Sequence, residues 1–97
     1  MAWTVILEDE NKNDIELLEQ EFSMVNLNNS EKETFKLLKY LDPYGDTIFN
    51  NLQMSDLISD LIYLKGIEQN NELINLIIEL AKKCQSDNHC YIAFYGD

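Results

Sequence analysis

Asp42 and Asp46 bracket the run Pro43-Tyr44-Gly45, which holds the chain's single proline and one of its three glycines. Two carboxylates held on one rigid turn are the groups that general acid–base and glycosidase chemistry use. The same residue types also make a turn for its own sake. Pro presets φ, Gly accepts φ > 0, and Asp hydrogen-bonds its own backbone. The spacing is not that of a calcium loop, because the alternating ligands and the bidentate Glu are missing. On so small a domain an acidic, aromatic turn suits a contact surface better than a substrate cleft. Tyr44 would anchor, and Asp42 and Asp46 would select a basic partner.

Cys84, His89 and Cys90 are the other chemically versatile group. Three soft ligands invite a metal, but neighbouring strand residues point to opposite faces, so His89 and Cys90 do not readily share one ion. A Cys–His nucleophile needs a positioned pair and an orienting third group, and the spacing supplies no third group. No metal or cofactor is expected. The two cysteines read as small buried hydrophobes kept reduced, since a disulfide between them requires an oxidising compartment.

The charge narrows the field further. Eighteen acids face seven bases among 97 residues, a formal −11, and every base is Lys. Such a field repels phosphate and anionic lipid, which argues against direct nucleic-acid or membrane binding. It attracts a basic protein and speeds the encounter, although it also serves solubility alone. Glu8, Asp9 and Glu10 form a second acidic patch, followed by Asp14, Glu16, Glu19 and Glu21; this run is either a solvated face or a partner surface. Tyr95-Gly96-Asp97 repeats the core of the central turn, Tyr44-Gly45-Asp46. The two copies are a coincidence or two parts of one surface. Tyr91 and Tyr95, beside Asp97, form an exposed aromatic patch or cover the second face of a sheet.

The elements that must position these residues follow from periodicity. Residues 1–97 make a single domain. Ala2 to Glu8 reads as a strand, with Trp3, Val5 and Leu7 on one face. Glu8 to Asp14 is a polar turn. Ile15, Leu18 and Phe22 sit at helical spacing, which favours a helix from Asp14, while a strand from Asp14 to Leu18 hairpinned to the first is the competitor. Asn26 to Glu33 reads as a loop and Thr34 to Leu41 as a strand. The proline turn would then join that strand to another, Thr47 to Asn50, as a hairpin. Asn51 to Lys65 and Asn70 to Gln85 carry helical apolar stripes, with Asn70 or Asn71 as the second helix's cap and Gly66 at the first one's C′ position. The short link makes them antiparallel neighbours. His89 to Tyr95 is the last strand, with Cys90, Ile92 and Phe94 on one face. The expected class is α+β: a small, mainly antiparallel sheet packed against an antiparallel helix pair. Ala2 to Leu7 is too short for a secretory signal and no run reaches bilayer length, so a cytoplasmic protein, monomeric when free, is expected.

Asp42-Pro-Tyr-Gly-Asp-Thr-Ile-Phe-Asn50, Gln53, and His89-Cys-Tyr-Ile-Ala-Phe-Tyr-Gly-Asp97 resemble a group of small acidic bacterial proteins. That group pairs an internal D-P-Y-G-D-T-x-F-N with a closing F-Y-G-D, and some members look like immunity proteins of contact-dependent growth inhibition systems. The resemblance implies a non-enzymatic protein that binds and neutralises a cognate toxin domain, often a nuclease, by blocking its active cleft. The partner-binding residues expected on that reading are Asp42, Tyr44, Asp46, Tyr95 and Asp97, with Glu8, Asp9 and Glu10 as the second patch. Two alternatives stand beside it: a small enzyme using Asp42/Asp46 or the His89 and Cys groups, and an acidic mimic of double-stranded DNA.

Overall fold

The computed structural model describes residues 2–24, 29–67 and 71–96. Its elements are β1 (Trp3–Asp9), β2 (Asp14–Leu17), α1 (Asn29–Thr34), a 3₁₀ turn at Leu38–Tyr40, β3 (Asp46–Asn50), a 3₁₀ turn at Asn51–Gln53, α2 (Met54–Lys65), α3 (Asn71–Gln85) and β4 (Cys90–Gly96). The four strands form one antiparallel sheet in the order β2-β1-β4-β3, so the class is α+β, with α2 and α3 packed on the sheet. No helix among the described residues is long and apolar enough to cross a membrane.

Alternation decides which face is covered. Trp3, Val5 and Leu7 on β1, Cys90, Ile92 and Phe94 on β4, and Phe49 on β3 are buried beneath the helices. Phe22, Phe49 and Phe94 meet edge to face, with Phe94 in the middle at 5.7 and 5.9 Å. From the helix side α3 contributes Leu73, Ile74, Ile77, Leu80, Ala81 and Cys84, the stripe that its 3.6-residue period predicts. Both cysteines are free and buried, and the Cys84 thiol donates to the Cys90 carbonyl at 3.0 Å. Lys82 and Lys83 lie in the last turn of α3, where the helix dipole favours cations. Gly66 closes α2 with φ −76°, so its position does not exploit the left-handed freedom of glycine. Asn70, a candidate cap of α3, lies outside the described residues.

Two stretches depart from the expectation. Residues from Asp14 onward form a strand, not a helix. The Asp9 carboxylate accepts the N–H groups of Asn11 and Asn13, Lys12 takes φ 64°, and the chain turns straight back along β1. Pairing then persists loosely beyond β2. Leu18 N–H donates to the Val5 carbonyl, and Trp3 and Phe22 exchange both backbone hydrogen bonds. The open edge of β1 offered backbone partners that outweighed the helical spacing of three side chains.

Thr34 to Leu41 is not a strand, and there is no hairpin across the proline turn; β3 pairs with β4 instead. The Asp60 carboxylate on α2, only 4% exposed, accepts the N–H groups of Lys36, Leu37 and Leu38 at 2.9, 2.7 and 3.1 Å. Three donors converging on one carboxylate coil the chain, and Phe35, Leu38 and Leu41 then enter the core at a period of three. Part of the stretch read as a loop, Asn29 to Glu33, belongs to α1.

Candidate functional site

The two Tyr-Gly-Asp copies meet. The Gly96 N–H donates to the Gly45 carbonyl at 2.9 Å, and a Cβ on Gly96 would fall 2.5 Å from the Pro43 carbonyl oxygen. The turn is held from three further directions. Asp42 Oδ1 accepts the Tyr44 N–H, Thr47 Oγ1 accepts the Asp42 N–H, and the Trp3 indole donates to the Asp42 carbonyl at 2.9 Å. Just beyond, Asn50 and Gln53 form a reciprocal capping box at the start of the helical segment. Asp42, Gly45, Thr47, Phe49, Asn50, Gln53 and Gly96 each therefore have an internal structural task. Tyr44 does not: its side chain is 77% exposed.

Asp46 begins β3 and stands directly opposite Tyr95 on β4, which in turn stands opposite Thr4 on β1. Tyr95 does not point away from the sheet. Its hydroxyl donates to Glu8 Oε2 at 2.5 Å, although Glu8 pairs with Tyr91, four residues back along β4. The Tyr95–Glu8 pair thus lies across the intervening Ile6–Ala93 pair. That explains why Glu8 is only 3% exposed and Ala93 not exposed at all, on the sheet face away from the helices. The hydrogen bond to Glu8, then burial, push the Tyr95 phenol up to about 12, with the charges of Glu8, Asp46 and Asp14 adding in the same direction.

Glu8, Asp9 and Glu10 do not form one patch. Strand alternation puts Glu8 beneath Tyr95. Asp9 is consumed by the following turn, whose backbone N–H of Asn13 is the largest influence holding its carboxyl below the usual range. Glu10 lies past the strand and meets His89 Nδ1 at 2.9 Å, with both side chains more than half exposed. Asp9 pairs with Cys90 and Trp3 with Gly96, so Asp9 and Glu10 sit at the far end of the sheet from the proline turn. Six residue steps at ~3.3 Å put those ends about 20 Å apart. Asp42 and Tyr44 lie in the turn bonded to Gly96, and Asp46 stands beside Tyr95, whose hydroxyl reaches Glu8; Asp9 and Glu10 lie at the other end of the sheet. Asp97 lies outside the described residues.

A cleft of about 430 Å³ opens between Trp3, Phe35, Leu38 and Leu41, with the exposed Lys32 and Lys39 also lining it. None of its described lining residues is a carboxylate, thiol or imidazole. Trp3, Phe35, Leu38 and Leu41 are each no more than 9% exposed, and Met24 and Pro43, half-buried, complete its apolar walls. Burial pushes the Cys84 thiol up to about 12, the opposite of what a nucleophile needs. No cluster of three metal-ligating side chains occurs among the described residues.

The residues that sequence reasoning missed lie on the open sheet face. Leu17, Ile6, Ala93 and Ile48 are matched in register across all four strands. Alternation along each strand was readable; the register that aligns them was not. No family model matches the chain, and comparison with curated proteins and with solved structures likewise returns no match.

Proposed function

We propose that the protein is a non-enzymatic immunity or inhibitor protein, acting in the cytoplasm, that binds a basic bacterial toxin domain and covers its active cleft. A nuclease domain fits best, because a protein that grips phosphate carries the cationic surface an acidic inhibitor complements. The observation that carries the reading is the absence of lysine from the strands. The strands hold Glu8, Asp9, Asp14, Glu16 and Asp46 and no lysine, while the lysines lie in the helices, the turns and the segment before β3. A net −11 steers a cationic partner, raising on-rates by roughly 10–10³ at low salt. The resemblance of the D-P-Y-G-D-T and F-Y-G-D segments to those of immunity proteins supports the same reading. An enzymatic role finds less support, since Asp42 is engaged in its turn and none of the cleft's described lining residues is an acid, thiol or imidazole.

The test is co-expression with the basic domain encoded by the neighbouring reading frame. The protein is expected to co-purify with that domain and to rescue cells from its toxicity, with an association rate that falls steeply as sodium chloride is added. Absence of binding or of protection rejects the reading.

A further inference from the structure

Resting on that partner reading, we infer that the docking surface is the open face of the sheet, and that its partner presents aliphatic side chains flanked by lysine or arginine. The helices cover only one face. On the other, Leu17 pairs with Ile6, Ile6 with Ala93, and Ala93 with Ile48, one residue from each strand in a single row. Three interstrand steps of about 4.8 Å make that row roughly 14 Å long. Its ends are open: Leu17 is 51% exposed and Ile48 39%, with Ile15 beside Leu17 at 53%. Its centre is closed by the Tyr95–Glu8 pair lying over Ala93.

The rows on either side are polar or aromatic and each holds an exposed acid at one end, Asp14 in one and Asp46 in the other. Asp14, Glu8, Tyr91 and Asn50 align on one side, and Thr4, Tyr95 and Asp46 on the other. An aliphatic row flanked by the exposed carboxylates of Asp14 and Asp46, on strands without a lysine, has the make-up of an interface whose apolar part excludes water and whose rim selects positive charge. A second copy of this chain is the wrong occupant. Face-to-face stacking would set Asp14 and Asp46 of one copy against the same acids of the other, at a cost in like-charge repulsion. The residues of the central turn do not compete for this role, because most are spent on holding β3 and β4 in register.

The test uses the full chain, isotope-labelled, titrated with the purified protein encoded by the neighbouring reading frame. Signals of Ile6, Leu17, Ile48 and Ala93 are expected to shift on complex formation, while Ile62 and Leu76, exposed on the helices, stay in place. Leu17→Ser and Ile48→Ser should each weaken binding about tenfold, as truncated interface anchors do. Asp46→Lys should slow association about tenfold at low salt. Ile62→Ser and Leu76→Ser should change affinity less than about twofold. Shifts confined to Ile62 and Leu76 would overturn the choice of face and leave a basic partner standing. No binding at all would remove both conclusions together. Self-association lost on Leu17→Ser would replace the basic partner with a second copy.

Discussion

Gly96 donates its backbone N–H to the carbonyl of Gly45 across 2.9 Å, binding the end of β4 to the turn that launches β3. The approach is close because neither residue has a side chain. A Cβ on Gly96 would meet the Pro43 carbonyl oxygen at 2.5 Å and its carbon at 2.6 Å, both backbone atoms with no freedom to swing aside. A Cβ on Gly45 would meet Asp42 Oδ2 at 2.7 Å, the tip of a side chain that can rotate. Gly96→Ala should therefore cost about 1–3 kcal/mol, as overpacking does, and Gly45→Ala less. Urea midpoints of the two variants give the comparison. An equal loss for both would show that the turn yields as easily as the Asp42 side chain.

Tyr95 and Glu8 lock the open sheet face, and the lock depends on a phenolic proton. The Tyr95 phenol is held up to about 12 by its hydrogen bond to Glu8, above the ordinary value of 10.0. A folded-state value above the unfolded one means stabilisation that is complete below pH 10 and lost as pH climbs from 10 to about 12. Absorbance titration should show one phenol ionising near 12, and Tyr95→Phe should remove that transition. The same variant leaves Glu8 buried without the hydroxyl, so it should cost about 1–3 kcal/mol at neutral pH. Glu8→Leu in the Tyr95→Phe background should recover part of that loss, because no unsatisfied carboxylate remains.

Much of this arrangement was legible before folding, for reasons that can be named. β1, β3 and β4 are rich in β-branched and aromatic residues, and α2 and α3 repeat at helical spacing, because each packs a face against a single core. The middle of the chain was opaque because its signals came from partners distant in sequence. Ile15, Leu18 and Phe22 share a helical spacing, yet the edge of β1 claims the backbone of Leu18 and Phe22. Phe35, Leu38 and Leu41 recur every third residue, a 3₁₀ signal hidden by the Leu37-Leu38 pair. At the candidate site, the kinship of the two Tyr-Gly-Asp copies could be read. The Tyr95–Glu8 bond could not, since it depends on the register of β1 against β4.

The two cysteines offer a check on thiol chemistry. Cys84 is fully buried, its S–H is donated to the Cys90 carbonyl, and burial raises it to about 12. Cys90 is raised too, first by burial and then by Asp87. Thiolate, not thiol, attacks electrophiles, so neither side chain should react with iodoacetamide in the native protein at neutral pH. Both should react once the chain is unfolded in urea. Rapid native alkylation at Cys84 would revive the thiol-enzyme alternative.

Asp60 carries the last prediction, because no part of the sequence pattern announced it. It is a buried acid on the apolar stripe of α2, and its two oxygens take three consecutive backbone N–H groups. Those donors belong to the coil that delivers Phe35 and Leu38 to the core, so the carboxylate couples α2 to the segment before β3. Asparagine keeps the shape but replaces one acceptor oxygen with a donor, setting N–H against N–H. Hydrogen bonds to a charged group contribute ~1.5–3 kcal/mol each, and a single lost acceptor orphans at least one of them. Asp60→Asn should therefore cost about 2–4 kcal/mol, more than Asp56→Asn, whose 3.5 Å contact with Lys36 is exposed on both sides. Hydrogen exchange locates the damage: the amides of Lys36, Leu37 and Leu38 should lose protection first. If they stay protected in Asp60→Asn, the backbone of this coil is held by its own packing and the carboxylate only fills space.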